Sequence, residues 1–258
     1  MKYPLAMGIV LFLLIPQSHS SAEQSKSVKQ QYRALIDEYE DVGGTREFAG
    51  KFLVLARKHP SDPVAIDAIN WVLKKRRNHP EAVAAVGLLE KQHLKSKTLI
   101  QTFRSLPRIP STTAETLLRT ILAKSPHADV RAQSCYTLAD LLERQAGVVK
   151  QLKKEPELAG RVLEYFGEDY AKHLASLDQS KMDKKLEAVY ATMARKFADV
   201  EAGDETMGDL ATRSLFRIRS LSVGRAAPEI KGEDIFGKKF ALSDYRGKVV
   251  LLSFWGHW

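Results

Sequence analysis

The chain has 258 residues, 44% hydrophobic and 28% charged, which excludes a disordered or collagen-like protein and leaves room for one large or two smaller domains. Its 40 Lys and Arg against 31 Asp and Glu give a formal net charge of +9. The basic residues are spread among acidic ones without aromatic interleaving or a binding motif, so no nucleic-acid partner is expected. Cys135 is the single cysteine, which excludes an internal disulfide.

The first residues read as a targeting segment. Lys2 supplies a short positive region and Leu5 to Ile15 an apolar one, followed by Pro16 and small polar residues. Ser18 and Ser20, or Ser20 and Ala22, satisfy the small-residue rule for cleavage. The apolar run is short for a transmembrane span, and no cysteine follows it that could carry a lipid anchor. The expectation is a signal peptide over 1–22, export to a periplasmic or extracellular compartment, and no stable membrane anchor after cleavage.

From 25 to 221 the pattern predicts successive helices. Val28, Tyr32, Leu35, Ile36 and Tyr39 share one face of a helix over 27–42 that Gly43-Gly44 stops. Thr45 is expected to cap the next, with Phe48, Phe52, Leu53 and Leu55 in its core face, and His59-Pro60 to end it. Asp62 caps a third, with Pro63 at its first position and Ile66, Ile69, Trp71, Val72 and Leu73 inside. A fourth runs over 81–94. Pro107 and Pro110 mark a loop, Ser111 caps a helix over 112–124, and Ser125-Pro126 breaks it. The next is expected over 128–145, ending near Gly147. The stretch 148–178 is amphipathic, with Pro156 opening a new helix, and helices over 180–197 and 206–221 complete the series around a polar loop at 199–204.

Short helices joined by short connections favour antiparallel neighbours. The recurring helix-Pro-helix pattern, and the stretch Asp129 to Ala139 in particular, resembles tetratricopeptide or HEAT-like helical hairpins. The spacing of the Pro breaks shows no fixed period. The expected fold is therefore mainly α, an irregular helical bundle or such hairpins.

Candidate chemistry in this helical part is thin. His59, His79, His93, His127 and His173 are dispersed, with no metal-ligand spacing. Gly43-Gly44 ends a helix rather than opening one after a strand, so it is no phosphate loop. Trp71 lies among Ile66, Ile69 and Leu73 and reads as core. Cys135 shares a helical face with Ala132, Leu138 and Leu142 and reads as a small core residue rather than a redox thiol.

The last stretch, 223–258, differs. Pro228 fixes an extended entry, Ile235 to Phe240 reads as two strand ends around a turn at Gly237, and Leu242 to Lys248 reads as a short helical turn with Ser243 as cap and Gly247 as stop. Val249 to Trp255 is an apolar run broken only by Ser253, which predicts a buried strand. The ordered set Val223-Gly224, Ala227-Pro228, Gly237-Lys238, Leu242 to Trp255 and Trp258 resembles the start of a thioredoxin-like redoxin domain. It is similar to the TlpA/ResA-type thiol-disulfide oxidoreductases and the wider alkyl hydroperoxide reductase/thiol-specific antioxidant superfamily.

That resemblance implies an α/β fold of which 223–258 holds the first β elements, incomplete, and a Cys-x-x-Cys just after Trp258. Phe254, Trp255, His257 and Trp258 would flank that site, and no residue of this chain is itself catalytic. The implied activity is thiol-disulfide exchange with a protein disulfide or dithiol partner, with a peroxiredoxin-like antioxidant as the variant chemistry. No metal or cofactor is implied. The chain is expected to be a piece of a longer protein and inactive as it stands. The alternative is a helical protein-interaction scaffold with a vestigial redoxin segment.

Overall fold

The computed structural model describes residues 27–256. The signal peptide expected over 1–22, together with His257 and Trp258, lies outside the described residues. The described residues are mainly α, with two small two-stranded sheets.

Helix α1 (Val28–Val42) begins at Ser27, whose hydroxyl accepts from the Gln30 amide while the Gln30 side chain accepts from the Ser27 amide, a reciprocal capping box. It ends at Gly43, and the φ values of Gly43 and Gly44, 77° and 81°, suit glycine. Helix α2 (Thr45–Lys58) departs from expectation at its start. Gly44, in the left-handed region, takes the cap position, and Thr45 enters the first turn without capping it. Helix α3 (Val64–Lys75) starts one residue later than expected: Pro63 holds the cap position rather than the first helical one, and Asp62, just before it, accepts from the Val64 amide through Oδ1 at 2.9 Å. Helix α4 (Pro80–Gln92) has Pro80 in its first turn, where no amide donor is needed.

A short helix α5 (Ile100–Phe103) and a 3₁₀ turn at Leu106–Arg108 fill the Pro107–Pro110 loop region. Ser111 caps α6 (Thr112–Lys124) through the Thr113 amide. Helix α7 (Ala128–Lys154) runs well past the expected stop at Gly147. The reason is packing. Leu141, Leu142, Ala146 and Val149 are buried on both sides of Gly147, and that burial outweighs the roughly 1 kcal/mol that glycine costs a helix interior. Helices α8 (Ala159–Phe166) and α9 (Glu168–Ser176) are separated at Gly167, φ 80°. Helix α10 (Gln179–Lys196) is capped by Asp178, and α11 (Met207–Ser220) by a Thr206–Asp209 capping box. The polar loop before α11 forms a two-residue hairpin, β1 (Glu201–Ala202) with β2 (Glu205–Thr206). An added Cβ at Gly208 would stand 3.0 Å from the Ala198 carbonyl, so a larger residue at this close entry to α11 would push the Ala198 backbone back by a few tenths of an ångström.

Helices pack mostly on their sequence neighbours: α1 on α2, α2 on α3, α3 on α4, α6 on α7, and α10 on both α7 and α11. One continuous core runs from Phe48 to Ile218. Trp71 sits in it, its ring 4.3 Å from Phe52 and 5.0 Å edge-on to Tyr39, as its apolar neighbours foretold. Polar ties link the later helices. The Tyr190 hydroxyl donates to Glu143 at 2.7 Å, Arg217 also binds Glu143, and Arg219 pairs with Glu187 at 2.7 Å. Glu115, nearly buried on α6, accepts from Arg119 at 2.8 Å and Lys185 at 3.2 Å, and these partners together hold its carboxyl below the ordinary range against the opposing effect of burial.

Among the described residues, none beyond Ile218 is buried. The chain leaves α11 through Ser222–Arg225 and enters the terminal segment, which contributes nothing to the core.

Candidate functional site

The terminal segment is built by local hydrogen bonds. Strand β3 (Lys231–Glu233) pairs antiparallel with β4 (Lys239–Ala241), Gly232 facing Phe240. The Phe240 ring lies over Gly232, where an added Cβ would stand 3.1 Å from it. The turn between the strands is closed by one carboxylate. Asp234 Oδ1 accepts from the amides of Phe236 and Lys238, both at 2.9 Å, while Gly237 takes φ 79°. The hairpin thus forms around the expected Gly237 turn.

The 3₁₀ turn Leu242–Tyr245 follows, and Gly247, φ 82°, ends it. Its cap differs from expectation. Asp244, not Ser243, reaches back, Oδ2 accepting from the Ala241 amide at 2.9 Å. Ser243 instead donates its amide to Glu229 Oε1 at 3.1 Å, and the Ser243 hydroxyl first, with this amide, draws the Glu229 carboxyl below its usual range. The Leu242 amide donates to the Ile230 carbonyl at 2.8 Å, which ties the turn to the start of the hairpin. The signal missed in sequence was Asp244 itself, an acid three residues after the strand end.

Residues 249–256 have no partner strand and no regular structure. Their side chains are exposed: Val249, Leu251, Phe254 and Trp255 are all more than 80% accessible. Of the expected flanking residues, Phe254 and Trp255 therefore project from an unpaired segment, and nothing in the helical part covers them. The buried strand expected here is absent for a physical reason: a strand buried on both faces needs neighbours on both edges, and the described residues supply none.

The remaining candidates lie in the helical part. Cys135 is fully buried, its Sγ 3.7 Å from the Val189 carbonyl, and burial pushes its thiol up to about 12. At neutral pH it is a thiol, not the thiolate that exchange chemistry requires. His93 is buried and His173 partly so, and burial lowers the pKa of both. The His127 Nε2 lies 3.1 Å from the Lys95 carbonyl. Among the described residues no three His, Cys, Asp or Glu side chains are grouped to hold a metal, and no helix is long and apolar enough to cross a membrane.

Comparison with known proteins gives short matches. The chain is 46% identical over 39 residues to the thiol-disulfide oxidoreductase ResA of Geobacillus thermodenitrificans (strain NG80-2) and 49% identical over 39 residues to that of Geobacillus kaustophilus (strain HTA426). The ResA of Bacillus thuringiensis subsp. konkukian (strain 97-27) is 45% identical over 38 residues. Each match covers 15% of this chain and 22% of the relative, so the chain spans about a fifth of the curated relatives it matches. No family model and no solved structure matches. The similarity supports a thioredoxin-like relationship, carried by a short stretch of the chain.

Proposed function

We propose that residues 223–258 open a ResA/TlpA-like redoxin domain and that the parent protein is an exported thiol-disulfide oxidoreductase with the helical region 25–221 as its N-terminal companion. The observation that carries this reading is the order of elements in the terminal segment: hairpin, short turn closed by Asp244, then an apolar run that is exposed and unpaired. Such a run suits a central strand of an α/β sheet, and 39 residues of near one-half identity to ResA proteins agree with it.

In the parent protein, a thiolate of lowered pKa would attack a substrate disulfide. That attack forms a mixed disulfide and expels one substrate thiolate. A second cysteine then attacks the mixed disulfide, releasing the other substrate thiolate and leaving the enzyme pair oxidised. An external dithiol reductant would restore it. Cys135 takes no part, because it is buried and protonated. Phe254 and Trp255 would line the approach to the reactive pair.

The test is the native protein, isolated from its source and measured for intact mass, reactive thiols after denaturation, and dithiol-dependent reduction of a protein disulfide. Two thiols beyond Cys135, one of them labelled rapidly near neutral pH, are the expected result. A native protein with Cys135 alone would sink the redox reading and leave the helical region to act as an interaction scaffold. The same preparation tests export: an N-terminus within 20–23 is expected from leader cleavage.

A further inference from the structure

A cleft of about 660 Å³ opens on the helical region between α7, the 107–110 loop and helices α8 and α9. Its volume lies in the range typical of small-molecule sites. Its floor is apolar, with Ile109, Leu141 and Leu174 buried beneath it. Tyr165, Phe166 and Tyr170 form one wall, Phe166 edge-on to both tyrosines at 4.8 and 5.8 Å. Three arginines from three separate elements converge on the same opening: Arg77 beyond the end of α3, Arg108 of the loop and Arg144 of α7. No acidic residue lines it. Arg144 is bound to Asp140 through Nε at 2.9 Å, while the guanidinium groups of Arg77 and Arg108 have no carboxylate partner among the described residues.

The floor also holds a polar group with unused capacity. Gln145 is 3% exposed, donates Nε2 to the Tyr170 hydroxyl at 3.1 Å, and leaves its Oε1 without a partner. A buried amide acceptor left unsatisfied is costly, and a small side-chain shift at the open cleft would relieve it; the carboxylate proposed below is placed on the arginine rim, not on this oxygen.

We propose that this cleft binds a small anionic amphiphile: an apolar or aromatic body seated against the aromatic wall and one carboxylate held by the arginine rim. Charge complementarity fixes the sign of the ligand, because the lining carries three guanidinium groups, only Arg144 paired with a carboxylate (Asp140), and no acid. The apolar floor fixes its body. This site is independent of the terminal redoxin segment.

Titration calorimetry of the full 258-residue chain, with decanoate below its micelle concentration as probe and 1-decanol as the uncharged control, tests the proposal. Decanoate is expected to bind one-to-one and at least about tenfold tighter than the alcohol. The double variant Arg108→Gln/Arg144→Gln is expected to weaken it about tenfold. Gly147 lies on the cleft wall at an exposed helical position with open space where a Cβ would stand, so Gly147→Phe fills the cleft without straining α7 and abolishes binding. Trp255→Ala, on the exposed terminal segment, leaves it unchanged. Failure of decanoate to bind, equal binding of the alcohol, or binding that survives Gly147→Phe with circular dichroism unaltered would each overturn the proposal.

Discussion

Burial of Cys135 has a consequence that can be read as a pH dependence of stability. In the folded chain its thiol is pushed up to about 12; in the unfolded chain it titrates near 9.0. The native state therefore keeps a proton that the unfolded state releases. Stability from this group is fully present below about pH 9 and is lost as pH rises from there toward 12. The slope in that window is about 1.4 kcal/mol per pH unit, so moving from pH 8 to pH 10 costs roughly 1.4 kcal/mol. Tyrosines titrate in the same range, so the measurement is a difference. Urea unfolding of the native chain and of Cys135→Ala at pH 7, 8, 9 and 10 isolates the group. Cys135→Ala loses about 1 kcal/mol of packing at neutral pH, and the two stability curves converge as pH rises. In parallel, a thiol reagent labels Cys135 only at the rate at which the protein opens. Equal pH slopes in the two proteins, or labelling faster than opening, would refute the reasoning and would make Cys135 a reactive thiol within the helical region.

A chain shortened to end at Leu221 is expected to keep a cooperative melt within about 2–3 °C of the parent, since no described residue beyond Ile218 is buried, and to self-associate less than the parent, in which Val249, Leu251, Phe254 and Trp255 are exposed; circular dichroism and size-exclusion chromatography read both. Gly50→Ala and Gly147→Ala, each in a helix interior with open space where the Cβ falls, are expected to raise stability by about 0.5–1 kcal/mol apiece, measured by urea midpoint. Tyr190→Phe removes the bond to Glu143 and leaves Glu143 on Arg217, with an expected cost of about 1 kcal/mol; a double-mutant cycle with Arg217→Met should show coupling between the two sites.

Helix starts were legible wherever the capping group lies within three residues of the turn it serves. Ser27, Asp62, Ser111 and Thr206 all act on amides two or three positions away, so short-range chemistry decides them. Thr45 failed because Gly44 reached the left-handed conformation first and left no role for a hydroxyl. Gly147 failed as a stop because tertiary burial on both sides of it outweighs local propensity. The core residues Phe52, Trp71 and Cys135 were legible from their helical spacing alone. The arginine rim was not. Arg77, Arg108 and Arg144 are more than thirty residues apart, and only the packing of α3, the 107–110 loop and α7 brings them to one opening.

The terminal segment shows how far local pattern carries and where it stops. Asp234, Asp244 and Glu229 satisfy amides within the segment, so a hairpin and a turn form without help from the helical core. A two-stranded hairpin alone is marginal, and these side-chain bonds are what hold this one in register. The run 249–255 has no such local device. Its side chains are apolar on both faces of an extended chain, and burial of that kind comes only from flanking strands and from helices above and below. The helical core does not provide them, because its apolar faces are already spent on one another from Phe48 to Ile218. The segment is patterned for a sheet, and it lies outside the core that the described residues build. Patterning and exposure together say that 249–255 is built to be covered, and the short identity to ResA proteins is what gives that pattern a thioredoxin-like relationship.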